Sequence, residues 1–215
     1  MSSTKGLFKL GGVGFVLSGL LFLLRAILDL TAGEPPLDSV EIPSWVATHR
    51  LIISLDSEIL FFAAVALIPA AIALYSYLVD VDRPKAAFGC GMLAVVVPVI
   101  MGSLVVHGRL VYPTFGIRAA TPDFAALVLG VFYGGMHAVY LLMAGATLLL
   151  SLALKRAALG KPVAYLGFIT APLDIAAGYP DGIGPTRMLM TQVFFAAWFV
   201  AVGLLLYRMR ARVTI

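Results

Sequence analysis

The sequence predicts an all-α polytopic membrane protein, a bundle of six transmembrane helices with both termini in the cytoplasm (N-in/C-in). Hydrophobic residues make up 61% of the 215 residues and charged residues only 12%, and the mean hydropathy is +1.03. Soluble domains carry about 25% charged residues, so a soluble fold of this length is excluded. The same figures exclude disorder, and the single cysteine, Cys90, excludes a disulfide scaffold.

Six segments are long and apolar enough to be transmembrane helices. Such a helix needs about 20 mostly apolar residues to cross a hydrocarbon layer of about 30 Å. The predicted spans are residues 10–30, 51–79, 87–106, 124–154, 163–179 and 188–207. None of them alternates apolar and polar residues as the strand of a membrane barrel does. The whole chain, 1–215, is therefore expected to be one transmembrane domain.

Each segment has its own justification. The first has four glycines within Gly11–Gly19, and small residues let another helix approach closely. The second and fourth are longer than a straight crossing needs, which allows tilt. The sixth is a clear apolar run, whereas the fifth is short and contains Pro172 and Asp174. Between the first two, residues 31–49 predict an ordered outer loop or a short interfacial helix.

The start of the chain also has features of a secretory signal. Lys5 and Lys9 precede an apolar run, as in a signal peptide. The run continues to Leu30 through Arg25 and Asp29 without a small-x-small cleavage site. We therefore predict that it stays in the protein as the first helix.

Basic residues predict the orientation in the membrane. Ten of the fifteen Lys and Arg residues fall on the side of the two termini. They are Lys5, Lys9, Arg83, Lys85, Lys155, Arg156, Lys161, Arg208, Arg210 and Arg212. Short loops rich in Lys and Arg remain in the cytoplasm, so we expect cytoplasmic termini in a prokaryotic cytoplasmic membrane.

The acidic residues show the opposite distribution. Nine of the eleven fall on the outer side or in the outer half of the membrane, and only Asp80 and Asp82 fall on the inner side. The basic residues are spread over four short juxtamembrane segments, as anionic lipid headgroups favour. We therefore expect membrane lipids as partners and no nucleic acid, and we leave open other membrane subunits or a homo-oligomer.

Polar residues near the outer ends of several spans form the candidate ligand or ion site. An ionisable group inside a span is costly and therefore needs a reason. The candidates are His49, Arg50, Asp56, Glu58, His107, Arg109, His137, Tyr140 and Asp174. At helical spacing Arg50, Ser54 and Glu58 share one face, while His49 and Asp56 share a neighbouring face. Arg25 and Asp29 are spaced as an ion pair one turn apart.

Three interpretations of these residues stay open. The first is structural, with hydrogen bonds and ion pairs such as Arg25 with Asp29 or Arg50 with Glu58. The second is a ligand or ion site. The third is a catalytic divalent metal, for which the candidate ligands are His49, Asp56, Glu58, His107 and His137. No haem is expected, because His107 and His137 lie at different depths, and no retinal, because no Lys lies inside a span.

Two further motifs carry a family resemblance. They are Gly134-Gly-Met-His137-Ala-Val-Tyr140 and the run from Lys155 through Pro162 to Gly167. Together with Asp56-Ser-Glu58 they resemble a widespread prokaryotic six-span membrane family catalogued as a domain of unknown function. The resemblance covers nearly the whole chain and implies topology without a mechanism.

These observations favour a non-enzymatic integral membrane protein. It would be an accessory or scaffold subunit, or a small-ligand-binding bundle with a polar cavity open to the outer side. The first alternative is an intramembrane metal-dependent enzyme with a His and carboxylate site in the outer leaflet. The second is a proton- or cation-coupled carrier that uses Asp56 and Glu58.

Overall fold

A computed structural model describes residues 2–113, 115 and 121–212 of the chain. Within these residues the fold is all-α, as predicted, with seven α-helices and no strand. The helices are α1 (Ser2–Ala32), α2 (Ile42–Thr48), α3 (Arg50–Leu78), α4 (Arg83–His107), α5 (Pro122–Leu154), α6 (Lys161–Ala177) and α7 (Pro180–Arg212). Single 3₁₀ turns cover Ser39–Glu41 and Gly108–Leu110.

Five of these helices are long and apolar enough to cross a membrane. They are α1, α3, α4, α5 and α7. The sixth predicted span, 163–179, corresponds to α6, which has 17 residues and a length of about 25 Å at 1.5 Å per residue. α6 continues through Pro172 without a break. The structure therefore shows a membrane-type helical bundle with five clear spans and one shorter helix.

Capping residues explain why two helices begin earlier than the apolar runs predict. The Asp82 side chain accepts a hydrogen bond from the backbone N–H of Lys85 at the start of α4. The Thr121 hydroxyl accepts one from Phe124 at the start of α5. In both helices proline occupies the first turn, where its missing N–H costs nothing. α7 begins with one turn that ends at Gly184, whose φ of +72° is not helical.

The six long helices form a closed ring in the order α1, α3, α4, α5, α6, α7 and back to α1. Neighbours in the ring run antiparallel. Glycines allow the close approach of α1 to both its neighbours, because a Cβ at Gly12 would lie 2.7 Å from the carbonyl of Gly203 and one at Gly14 would lie 2.6 Å from that of Ala66. The Ser18 hydroxyl also donates to the Ala63 carbonyl at 3.0 Å. The prediction of close packing at these glycines is thus confirmed.

One end of the ring, here called the basic end, carries both termini and the α3–α4 and α5–α6 connections. Oδ2 of Asp82 lies 2.5 Å from Nζ of Lys85 and 2.7 Å from a guanidinium nitrogen of Arg156. The pair of Asp82 with Arg156 links the α3–α4 connection to the α5–α6 connection. The opposite end, called the acidic end, carries α2 and the starts of α3, α5 and α7. Arg118, one of the five basic residues predicted on this side, lies outside the described residues.

The packed core extends along the inside of the ring and consists mainly of apolar side chains. Phe15 and Phe199 have centroids 5.3 Å apart in an edge-to-face arrangement, and Trp198 joins them. All three side chains are fully buried. Such pairs add to the area that they bury, and here they hold α1 against α7.

Candidate functional site

A cavity opens at the acidic end because α6 is shorter than its neighbours. α6 ends at Ala177, and the carbonyl of Gly178 accepts a hydrogen bond from Nδ1 of His137 at 2.6 Å. His137 is fifteen residues past Pro122, so α5 continues for about 22 Å beyond the end of α6. The space above α6 is a cavity of about 390 Å³ between α1, α5 and the start of α7, with residues 33–37 along its wall.

The cavity wall combines polar and apolar side chains. Its polar side chains are Arg25, Asp29, Glu34, Tyr133, His137 and Tyr140. Its apolar ones include Leu30, Leu129, Met136, Met188 and Leu189. A cavity with a few convergent polar groups in a mostly apolar wall is the usual form of a small-molecule site.

Arg25 is the central residue among these polar side chains. Its guanidinium nitrogen Nη2 lies 3.0 Å from Oδ2 of Asp29, and its Nε lies 2.9 Å from Oδ1 of Asp56 on α3. The second contact lacks the angle of a directed hydrogen bond, so charge attraction holds it. Arg25 and Asp56 have side chains only 5% exposed, whereas Asp29 is 42% exposed. Two carboxyl groups thus share one guanidinium, and only Asp29 faces open space.

Two aromatic residues complete the surroundings of Arg25. A guanidinium nitrogen lies 3.5 Å from the hydroxyl of Tyr140. The guanidinium carbon lies 5.6 Å from the centre of the Phe132 ring, which is cation–π range. The predicted i,i+4 pair of Arg25 and Asp29 is confirmed, and the structure adds the partner on α3 and the aromatic face on α5.

His107 lies next to this cluster without joining the cavity wall. Its ring stacks on the Phe132 ring with 3.9 Å between the two ring centroids, and its Nδ1 lies 2.9 Å from the Ser57 hydroxyl. That hydroxyl donates its only proton to the carbonyl of Ile53 at 3.0 Å. Nδ1 of His107 is therefore the donor to Ser57. The imidazole packs against the Phe132 ring and so holds that ring in position next to the Arg25 guanidinium.

Other predicted site residues form a second group on a different face of α3. Arg50 donates to the carbonyl of Val111 at 3.2 Å, and Tyr112 donates to Glu58 at 3.3 Å. Ser54 is hydrogen-bonded to the same tyrosine. Arg50, Ser54 and Glu58 do share a face, as predicted, but Arg50 and Glu58 bind these groups rather than each other. Asp56 points inward because two residues rotate a helix by about 200°.

His49 does not join Asp56, and the reason is local backbone geometry. The expectation that they share a face assumed one continuous helix. His49 instead separates α2 from α3 with φ −101° and ψ 17°. Its Nδ1 lies 2.9 Å from the carbonyl of Trp45. Arg109 is half-buried in the 3₁₀ turn after α4.

The predicted metal ligands are accordingly distributed over several places. Asp56 is paired with Arg25, Glu58 with Tyr112, His107 with Ser57 and His137 with Gly178. In the part of the chain that the structure describes, no three His, Cys, Asp or Glu side chains form a group that could hold a metal ion. The geometry gives the divalent-metal interpretation no support.

Asp174 is the predicted site residue that lies deepest. It is fully buried on α6, just under the floor of the cavity. Thr147 on α5 is its neighbouring hydroxyl, yet neither side chain has a well-aligned hydrogen bond to any described group. Asp174 thus differs from Asp56, which has a cation beside it.

Sequence patterns understated Arg25 and gave no role to Phe132 or Thr147. The signal for Arg25 was present, since it is an arginine inside an apolar run with an acid one turn away. Its pairing with Asp56 depends on which helices are neighbours, which spacing within one helix does not reveal. Comparisons with protein families, curated proteins and solved structures find no match to this chain.

Proposed function

We propose that this chain is a six-span protein of a prokaryotic cytoplasmic membrane, with cytoplasmic termini, that binds a small amphipathic cation in its cavity. The support for six crossings is the course of the backbone. α5 finishes at the basic end and α7 starts at the acidic end, and α6 is the segment that connects them. The support for the orientation is that the two termini and both tight connections, with ten of the fifteen bases, share one end.

The observation that carries the ligand class is the mixed composition of the cavity wall. Leucine and methionine side chains line it together with the Arg25–Asp29 pair and three aromatic residues that carry polar atoms. A ligand with an apolar body and one polar end matches such a wall. The volume of about 390 Å³ lies within the usual range of about 300–1,000 Å³ for ligand pockets.

The charges around the cavity favour a cation at the polar end. Asp29 and Glu34 line the wall, and Asp56 lies behind Arg25. Counting each group in its charged form, three carboxylates against one guanidinium leave a formal charge of −2. Arg25 is already bonded to two carboxyl groups, so it has little to offer an anion. The exposed edge of Asp29 and the ring of Tyr133 are suitable contacts for an ammonium group.

The test is a series of ligands that share a body and differ in charge. Octylamine, octanol and octanoate are added to the purified protein in lipid nanodiscs, and binding is measured by the shift in melting temperature. We expect octylamine to bind most tightly. Asp29→Asn should weaken octylamine about tenfold, which is about 1.4 kcal/mol, and leave octanol unchanged.

The matched control is Asp80→Asn, which removes a carboxylate at the basic end and should change nothing. Failure of all three compounds to bind would contradict the cavity as a ligand site. Equal binding of octanoate and octylamine would contradict only the preference for a cation.

A further inference from the structure

Five buried polar side chains lie on the three helices beneath the cavity, beyond the site just described. Each has a polar atom that no group in the described residues pairs by hydrogen bonding. The side chains are Thr147 and Ser151 on α5, Asp174 on α6, and Gln192 and Trp198 on α7. Each is at most 2% exposed. An unpaired buried polar group costs about 1–3 kcal/mol, so five together need an explanation.

Contacts between the helices show that these side chains form a row. A methyl group at Gly167 would collide with both the Ser151 hydroxyl and the indole nitrogen of Trp198. Both atoms therefore border the same glycine on α6. Thr147 is one turn from Ser151 toward the cavity, and it neighbours Asp174. Gly167 and Asp174 are seven residues apart, or about 10 Å along the helix.

Gln192 lies near the upper end of this row. α6 and α7 run antiparallel, and their register is given by the Thr170 hydroxyl oxygen, which lies 3.4 Å from the carbonyl oxygen of Phe194. Asp174 and Gln192 both lie on the cavity side of that contact. The row therefore runs from just under the cavity floor to the notch at Gly167, where the Ser151 hydroxyl and the Trp198 indole nitrogen border the glycine.

Among the described residues, no cation faces Asp174. The groups that do face it are the hydroxyls of Thr147 and Tyr140 from α5, with Gln192 nearby on α7. Arg25 is the nearest cation on the cavity side, and Asp29 and Asp56 already pair with it. Within the described residues, none of the ion pairs includes Asp174. Burying an ionised carboxylate without a cation is so costly that such a group binds a proton instead.

We propose that Asp174 is a proton-binding site and that water molecules fill the row between it and the Gly167 notch. A buried water needs two to four polar partners. The row offers the Trp198 N–H as a donor, the Ser151 and Thr147 hydroxyls as both donors and acceptors, and the Asp174 carboxyl group. On protonation, a hydronium ion gives its proton to a carboxylate oxygen of Asp174 and becomes water. The site is independent of the ligand in the cavity.

The first test is infrared spectroscopy of the full-length protein in lipid. The difference spectrum between the wild type and Asp174→Asn should contain the C=O stretching band of a protonated carboxylic acid, and that band should shift in D₂O. Thr147→Val keeps the shape of the side chain but removes its hydroxyl, so it should move the band without abolishing it. Loss of ionised-carboxylate bands instead would overturn the proposal for Asp174.

The second test needs no substitution at Asp174. Trp45 and Trp198 are the only tryptophans, so ¹⁵N-indole NMR of the protein gives two signals, and Trp45→Phe assigns them. We expect the indole N–H of Trp198 to show magnetisation exchange with water although the side chain is fully buried. An indole N–H that keeps its proton in D₂O and shows no exchange with water would overturn the water-filled row.

Discussion

Two buried aspartates, Asp56 and Asp174, lie in one bundle at similar burial but in opposite electrostatic surroundings. Asp56 is 2.9 Å from Arg25, which also binds Asp29. Asp174 has the hydroxyl of Thr147 beside it, and none of the ion pairs among the described residues includes it. On the α1–α3 side of the ring, a buried aspartate is paired with a cation. On the α5–α6–α7 side, the buried aspartate is by our proposal protonated and neutral. The first arrangement suits a fixed binding wall, and the second suits a group that gains and loses a proton.

Removal of Arg25 should have the largest effect. Arg25→Met leaves Asp56 buried without its cation, and breaking a buried ion pair costs about 3–5 kcal/mol. We expect a loss of that size in the free energy of unfolding, measured by denaturant titration in mixed micelles. The double variant Arg25→Met with Asp56→Leu should recover a large part of it. No recovery would show that Arg25 stabilises the protein through other contacts.

The glycine contacts between α1 and α7 should rank second. Gly12→Ala places a Cβ 2.7 Å from the carbonyl of Gly203, and overpacking of this kind costs about 1–3 kcal/mol. Gly130→Ala is the matched control, because no atom lies within 4 Å of a Cβ at that position. The melting temperature should fall for the first variant only, and equal effects would contradict the packing of α1 described above.

Asp174→Asn should have a smaller effect on stability than Asp56→Asn. Asparagine is close in shape to a protonated aspartic acid, so we expect a loss of at most about 1 kcal/mol. Asp56→Asn removes the charge that faces Arg25 and should cost more. Measuring both unfolding free energies side by side tests the comparison, and the reverse order would contradict it.

Removing the ion pairs at the basic end should have the smallest effect on the free energy of unfolding, and this effect should depend on pH. The hydrogen bond and charge of Lys85, with Arg156, hold the pKa of Asp82 below its usual range. Because this pKa is lower in the folded state, the stabilisation is present above the pKa of an unfolded aspartate and is lost as the pH falls through the folded value. Wild type and Asp82→Asn should therefore differ slightly at neutral pH and converge in acid. A constant difference would exclude ionisation as the cause.

The fold was predictable to the extent that hydropathy determines it. The helical class, the five longest apolar runs and the glycine contacts of α1 all follow from local sequence. The early starts of α4 and α5 were missed because they depend on the capping side chains of Asp82 and Thr121. The site was less predictable, because a helical period relates Asp56 to its own helix and says nothing of Arg25 on another. The break at His49 separated two residues that a continuous helix would have aligned.

Cysteine labelling in intact cells shows whether the cavity opens to the outer face of a six-span bundle. Cys90 is the only cysteine and is buried, so Cys90→Ala gives a cysteine-free background. In that background we introduce Leu189→Cys in the cavity wall or Lys155→Cys at the basic end, and add a membrane-impermeant maleimide outside. We expect labelling of the first variant, slowed by octylamine, and no labelling of the second. Labelling of the second variant alone would contradict the orientation of the bundle and the opening of its cavity.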